Sequence, residues 1–73
     1  MEQTSGGLLR RCSEAAGKGT DFPTIWHEII RLHRLVLGPP EQWLDGDRTL
    51  LRIRLATGQW LTFDSATKTF SLG

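Results

Sequence analysis

Residues 48–72, which read RTLLRIRLATGQWLTFDSATKTFSL, decide the fold of this 73-residue chain. Apolar side chains alternate with polar ones along three short segments of this stretch, and turn-forming residues lie between the segments at 56–58 and 65–68. Alternation with a period of two, bounded by turns, is typical of antiparallel strands with one buried face. The stretch therefore predicts a three-stranded β-meander.

The first turn sets the pairing of the first two strands. A two-residue loop would place Ile53 opposite Thr62 and mix apolar with polar side chains on each face. A three-residue loop over 56–58, with Gly58 in the left-handed conformation of a bulged turn, pairs Ile53 with Leu61 instead. Only the three-residue loop keeps one face apolar, so we predict that register.

The second turn is predicted as a four-residue loop over 65–68. This loop pairs Phe63 with Phe70, and Asp64 can accept hydrogen bonds from the loop backbone. We expect the resulting apolar face to be buried beneath a helix. It carries seven side chains: Leu51, Ile53, Leu55, Leu61, Phe63, Phe70 and Leu72.

A fourth strand is predicted ahead of the meander, over residues 41–44. The pair Asp45-Gly46 is a hairpin signal that would place these residues beside the start of the next strand, with Trp43 opposite Arg48. Proline and glutamate at the start of the segment are poor strand formers, which restricts it to an edge of the sheet. The sheet is therefore expected to have three or four strands.

An amphipathic helix is predicted over residues 22–37. Asp21 or Thr20 can cap its first turn, and the run Gly38-Pro39-Pro40 ends it. Its apolar side chains cover an arc of roughly 160°, wider than the stripe that a helix needs to lie on one sheet. We expect the N-terminal residues, the segment after the helix or a second copy of the chain to cover the remainder.

Residues 1–19 are predicted to be a mobile tail in front of a single domain over residues 20–73. They hold four of the eight glycines, and such a composition buries too little apolar surface to offset the entropy of ordering. The alternative is a short helix over 8–16, in which Leu8 and Cys12 lie at helical spacing and Gly17 ends the helix. A helix of this length is marginal in water by itself.

The composition argues against several classes of function. A net charge of +1 and a pI of about 8.0 fall short of a dedicated nucleic-acid domain. One cysteine and two histidines give no set of metal ligands, and no nucleophile has a base and an orienting group near it. The longest aliphatic run is residues 35–37, too short for a signal peptide or a membrane span. We predict a cytoplasmic, non-enzymatic protein without metal or cofactor.

The outer face of the sheet is the strongest candidate for a functional surface. The predicted register places Arg54 opposite Trp60. Indoles interleaved with guanidiniums are typical of protein-binding hot spots, but they also stack nucleic-acid bases and hold phosphates. A third interpretation is a cation–π pair that only shields the sheet. The candidate binding residues are Trp43, Arg48, Arg52, Arg54 and Trp60.

His33 lies in the middle of the apolar arc of the predicted helix. One interpretation is structural, with a neutral imidazole packed at the edge of the sheet and one ring nitrogen bonded to the backbone or to water. The other is a pH-sensitive contact at a surface of self-association. His27 lies on a different side of the predicted helix, so the two histidines cannot share a ligand.

Taken together, these features predict a small α+β domain that binds another protein or a second copy of itself. Binding would use the Trp and Arg face of the sheet or the surplus apolar arc of the helix. The alternative is a weak single-stranded nucleic-acid-binding protein that uses the same sheet face. Salt dependence separates the two, because neutralisation of phosphates makes affinity fall steeply with salt concentration.

Overall fold

The computed structural model describes residues 4–73, except for the side chain of Trp43, and has an α+β fold. Two helical elements come first: α1 (Ser5–Gly17), then α2 (Phe22–Ile25), which continues as a π-helical segment (Trp26–Ile30). An antiparallel sheet follows, with its strands in sequence order: β1 (Glu41–Asp45), β2 (Arg48–Arg54), β3 (Trp60–Asp64) and β4 (Thr69–Leu72). The predicted class, helical structure packed on an antiparallel β-meander, is confirmed.

The predicted register of the meander is confirmed at both turns. Ile53 pairs with Leu61 across β2 and β3, and Phe63 pairs with Phe70 across β3 and β4. Gly58 has a φ of 90°, a left-handed conformation that glycine adopts without steric cost. The Asp64 carboxylate accepts a hydrogen bond of 2.9 Å from the backbone N–H of Ala66 in the second turn.

The fourth strand is present, but the predicted pairing of Trp43 with Arg48 is wrong. Asp45 pairs with Arg48, so Trp43 pairs with Leu50. The loop consists of residues 46 and 47, one position later than predicted, and Gly46 has a φ of 64°. Glycine with positive φ at the first loop position is the requirement of a type II′ turn, and this requirement sets the register.

The helix predicted over 22–37 ends at Ile30. Its last hydrogen bond closes a π-type ring, from the Arg31 N–H to the Trp26 carbonyl at 3.0 Å. Further along, Val36 forms an isolated antiparallel bridge with Leu55, and the Leu37 N–H donates to the Arg54 carbonyl at 3.1 Å. These residues extend the edge of the sheet because the end of β2 offers backbone groups that need partners.

Residues 5–17 form α1 and are not a mobile tail in this structure, in keeping with the helical alternative. The Thr4 hydroxyl caps the helix by accepting a hydrogen bond of 3.0 Å from the Gly7 N–H. Leu8 and Cys12 are fully buried, and α1 packs against β4 and the Trp26–Ile30 segment. Burial on the sheet supplies the stability that an isolated helix of this length lacks. Residues 1–3 of the predicted tail lie outside the described residues.

The core lies between the helical elements and the inner face of the sheet. Three aromatic rings in this layer contact one another: Phe22 stacks on Phe63 with ring centroids 5.1 Å apart, and the ring centroids of Phe63 and Phe70 are 4.9 Å apart. Of the seven side chains predicted to be buried, Leu51 and Leu72 are only half-buried. The other five are in the core: Ile53, Leu55, Leu61, Phe63 and Phe70.

We predict that Phe63→Ala unfolds the protein at room temperature. Loss of a buried phenylalanine costs about 3 to 5 kcal/mol, which is comparable with the whole stability of so small a domain. Circular dichroism with urea titration measures the change. Leu44→Ala is the matched control, since Leu44 is 72% exposed and its truncation should leave the urea midpoint nearly unchanged. A cooperatively folded Phe63→Ala would contradict the packing described above.

We also predict that the Cys12 thiol resists labelling in the native protein. Burial raises its pKa to about 12, against a small opposing effect of Arg11, so little reactive thiolate forms at about pH 8. Labelling with a disulfide reagent should therefore be slow in buffer and fast in denaturing urea. Equally fast labelling in both solutions would mean that α1 is detached from the sheet, as a mobile tail would be.

Candidate functional site

The outer face of the sheet brings two arginines onto one indole ring. Arg54 pairs directly with Trp60 across β2 and β3, whereas Arg52 pairs with Thr62. The Arg52 guanidinium carbon nevertheless lies closer to the centre of the Trp60 ring, at 4.3 Å, than that of Arg54, at 5.8 Å. Both distances are within the range of a cation–π interaction, and the diagonal neighbour makes the closer contact.

Ion pairs occupy two of the three candidate arginines. The Arg52 Nε donates to Glu41 Oε2 at 3.1 Å, while Arg48 bridges Asp45 and Asp64, each at 3.0 Å. These side chains are largely exposed except for Asp64, so each pair adds only about 0 to 1 kcal/mol to stability. Their main consequence is electrostatic, because they neutralise most of the positive charge of β2 at the surface.

Arg54 differs from the other two arginines. It is exposed, and within the part of the chain that the structure describes it forms no ion pair. Its guanidinium lies over the half-buried Trp60, so a full positive charge is held beside an aromatic surface. This combination can accept a carboxylate and an apolar group at adjacent positions.

A groove of about 280 Å³ lies next to this pair, and we call it the Trp60 groove. Its wall consists of residues 37–41, Arg54 and Trp60. Leu37 is 59% exposed, so the groove has an apolar side chain available at its rim. In the sequence, Gly38-Pro39-Pro40 indicated the end of a helix, and Pro40 an edge position for the strand that follows, but neither prediction included this wall. Two adjacent prolines before an edge strand are the signal that could have indicated this wall, because proline cannot complete a strand ladder.

For the candidate residue Trp43 the structure describes only the backbone, which lies in β1 opposite Leu50 of β2. Its side chain lies outside the described residues, and so does the prediction that it contributes an indole to the outer face. Arg48 lies at the far end of β2 from Arg54 and is held by its two acidic partners. The structure therefore brings together Arg52, Arg54 and Trp60 from the predicted set.

His33 is buried in this chain, with 7% of its surface exposed. Its Nδ1 accepts a hydrogen bond of 3.2 Å from the Leu35 N–H, which requires that nitrogen to be unprotonated. Burial lowers the pKa of the imidazole, and the nearby positive charge of Arg11 lowers it further. This geometry matches the structural interpretation, because a contact at a surface of self-association needs an exposed ring.

We predict that His33 makes the protein less stable in mild acid. Since its pKa is lower in the folded state than in the unfolded state, the unfolded state takes up the proton first as the pH falls. The stabilisation is therefore complete above about pH 6.5 and is lost below it. As the pH is lowered through about 6.5, the urea midpoint of the wild type should fall. The urea midpoint of His33→Asn, which keeps a hydrogen-bond acceptor at this position, should change less. The exposed His27 gives the control, His27→Asn, which should retain the wild-type slope.

Within residues 4–73 no three His, Cys, Asp or Glu side chains come together as metal ligands. None of the helices in that range is long and apolar enough to cross a membrane. Comparisons with models of protein families, with curated proteins and with solved structures find no match for this chain. The function proposed below therefore rests on the geometry of the chain itself.

Proposed function

We propose that this chain is a non-enzymatic, cytoplasmic binding module that holds a segment of another protein in the Trp60 groove. The observation that carries the proposal is Arg54, a charged side chain over the Trp60 ring at the wall of an open groove. A partner segment with an apolar side chain for the groove and a carboxylate for Arg54 would complement both features. Tryptophan and arginine are also the residue types most enriched at binding hot spots.

One residue of the surplus apolar arc of the predicted helix lies at the same surface. Leu37, which belonged to that arc, lines the Trp60 groove and is 59% exposed. Leu32 is also exposed, at 67%, but does not line the groove. We therefore assign the partner to the groove, with Leu37 as an apolar contact at its rim.

Binding of single-stranded nucleic acid is the second candidate, favoured by the aromatic ring beside guanidiniums. Glu41, Asp45 and Asp64 weaken this alternative, because they already neutralise two of the arginines that would hold phosphates. Affinity for nucleic acid depends on neutralising several phosphates, and the logarithm of this affinity falls linearly with the logarithm of salt concentration. Arg54 is the arginine of this face without an ion pair among the described residues, and one such guanidinium supports a carboxylate contact better than a phosphate backbone.

To test the proposal, short random peptides are selected on the immobilised wild-type protein, and their affinity for defined variants is measured. We expect the selected peptides to combine an apolar residue with a nearby acidic one. Trp60→Ala should weaken their binding by about 30-fold, equivalent to about 2 kcal/mol, with little change in thermal midpoint. Arg54→Gln should weaken the binding of peptides that contain the acidic residue. It should have less effect on the binding of the same peptides with that residue replaced by its amide.

Arg10→Gln is the control, because it removes the same charge from α1 and should leave peptide affinity unchanged. If Trp60→Ala lowers the thermal midpoint but not the affinity, the ring only shields the sheet and the proposal fails. Tight binding of a thymine oligonucleotide that weakens steeply with salt would favour the nucleic-acid alternative. Sedimentation of the wild type and Trp60→Ala tests whether the bound partner is a second copy of the chain.

A further inference from the structure

A second cavity lies on the helix side of the sheet, remote from the Trp60 groove. It has a volume of about 240 Å³ and lies between the end of α1, the start of α2 and the turn that joins β3 to β4. We call it the Lys68 pocket. Its floor is formed by the stacked rings of Phe22 and Phe63, whose centroids are 5.1 Å apart. A neighbouring cavity of about 220 Å³ also has Lys68 in its wall.

The rim of the Lys68 pocket carries one charge of each sign. Asp21 and Lys68 both line it, and among the described residues neither forms an ion pair with the other or with a third group. The Asp21 Oδ1 accepts the Thr24 N–H at 3.0 Å, and hydrogen bonds from the Thr24 side chain and backbone lower the pKa of this exposed carboxyl, which favours its charged form. An ammonium and a carboxylate are therefore held at one opening without cancelling each other.

Two hydroxyl groups complete the rim. Ser65 donates to the Thr49 carbonyl at 2.7 Å, so its oxygen can still accept a hydrogen bond from a ligand. Thr20 lines the same wall and is half-buried. An apolar floor with a few polar groups converging at the mouth is the usual composition of a small-molecule site.

The backbone at Lys68 adds a separate observation. Lys68 has a φ of 56°, and in the described part of the chain it is the only residue other than glycine with positive φ. Glycine would adopt this conformation without strain, whereas lysine adopts it at a cost. The turn therefore tolerates strain at the residue that lines both cavities, a pattern that is common at binding sites.

We propose that the Lys68 pocket binds a free apolar α-amino acid. The ligand carboxylate would pair with Lys68, its ammonium with Asp21, and its side chain would lie on the rings of Phe22 and Phe63. A ligand with only one of these charges would leave the opposite group of the rim without a partner. The zwitterion with an apolar side chain is thus the small molecule that complements the whole pocket. This inference is independent of the Trp60 groove, which lies on the other face of the sheet.

The test titrates the wild-type protein with L-phenylalanine and follows amide and aromatic shifts by NMR. We expect shifts at the Lys68 pocket, with a Kd of about 1 mM. Two analogues each lack one charge: 3-phenylpropionate has no ammonium and 2-phenylethylamine has no carboxylate. Both should bind at least about tenfold more weakly, as should glycine, which lacks the apolar group.

Matched variants assign each charge. Lys68→Gln should remove the preference for L-phenylalanine over 2-phenylethylamine. Asp21→Asn should remove the preference for L-phenylalanine over 3-phenylpropionate, while the asparagine side chain keeps the N-terminal cap of α2. Lys18→Gln removes an equal charge from a residue outside the pocket wall and should bind normally. Lys68→Gly should melt at a higher temperature than the wild type yet bind L-phenylalanine more weakly, which separates binding from fold stability.

Several outcomes would overturn the proposal. The absence of shifts at ligand concentrations far above 1 mM would show that the pocket takes no amino acid. Shifts centred on Trp60 would move the ligand to the other face of the sheet. Equal affinity for 3-phenylpropionate and L-phenylalanine would remove the role of Asp21, and unchanged binding by Lys68→Gln would remove that of Lys68.

Discussion

The pairing of Ile53 with Leu61 across the β2–β3 hairpin is the constraint on which the rest of the structure depends. It holds because Gly58 adopts a positive φ that admits a third residue into the loop. A shift of one residue would turn every side chain of β3 to the opposite face relative to β2. The same register therefore produces both the buried aromatic cluster and the Trp and Arg face outside it.

The outer face follows from this register, but its chemistry is decided by charge. β2 carries three arginines on that face, and acidic residues of β1 and β3 neutralise two of them. The remaining guanidinium, that of Arg54, lies where the edge segment with Pro39 and Pro40 leaves a groove beside β2. β2 by itself resembles a basic platform for nucleic acid, but the acidic residues of its neighbours leave Arg54 as the arginine of this face without an ion pair among the described residues.

The helix side of the sheet shows how a small domain completes its core. The Phe22–Ile30 helical region is too short to cover four strands, and α1 supplies Leu8 and Cys12 to the part that remains. The Ser5 hydroxyl donates to Gln59 at 2.7 Å, which ties the start of α1 to the β2–β3 loop. The opposite end of α1 approaches the turn at Lys68 without closing the space there, and the Lys68 pocket is the result.

The sequence by itself determined the meander, its register at Gly58 and at the 65–68 turn, and the opposition of Arg54 to Trp60. These features are local, since strand alternation and turn chemistry act over a few residues. Tertiary structure alone decided that residues 5–17 are helical, that the helix beginning at Phe22 ends at Ile30, and that residues 35–37 join the sheet edge. A short apolar run fits helix or strand equally well, and the choice depends on which distant surface buries it and which distant backbone groups need partners.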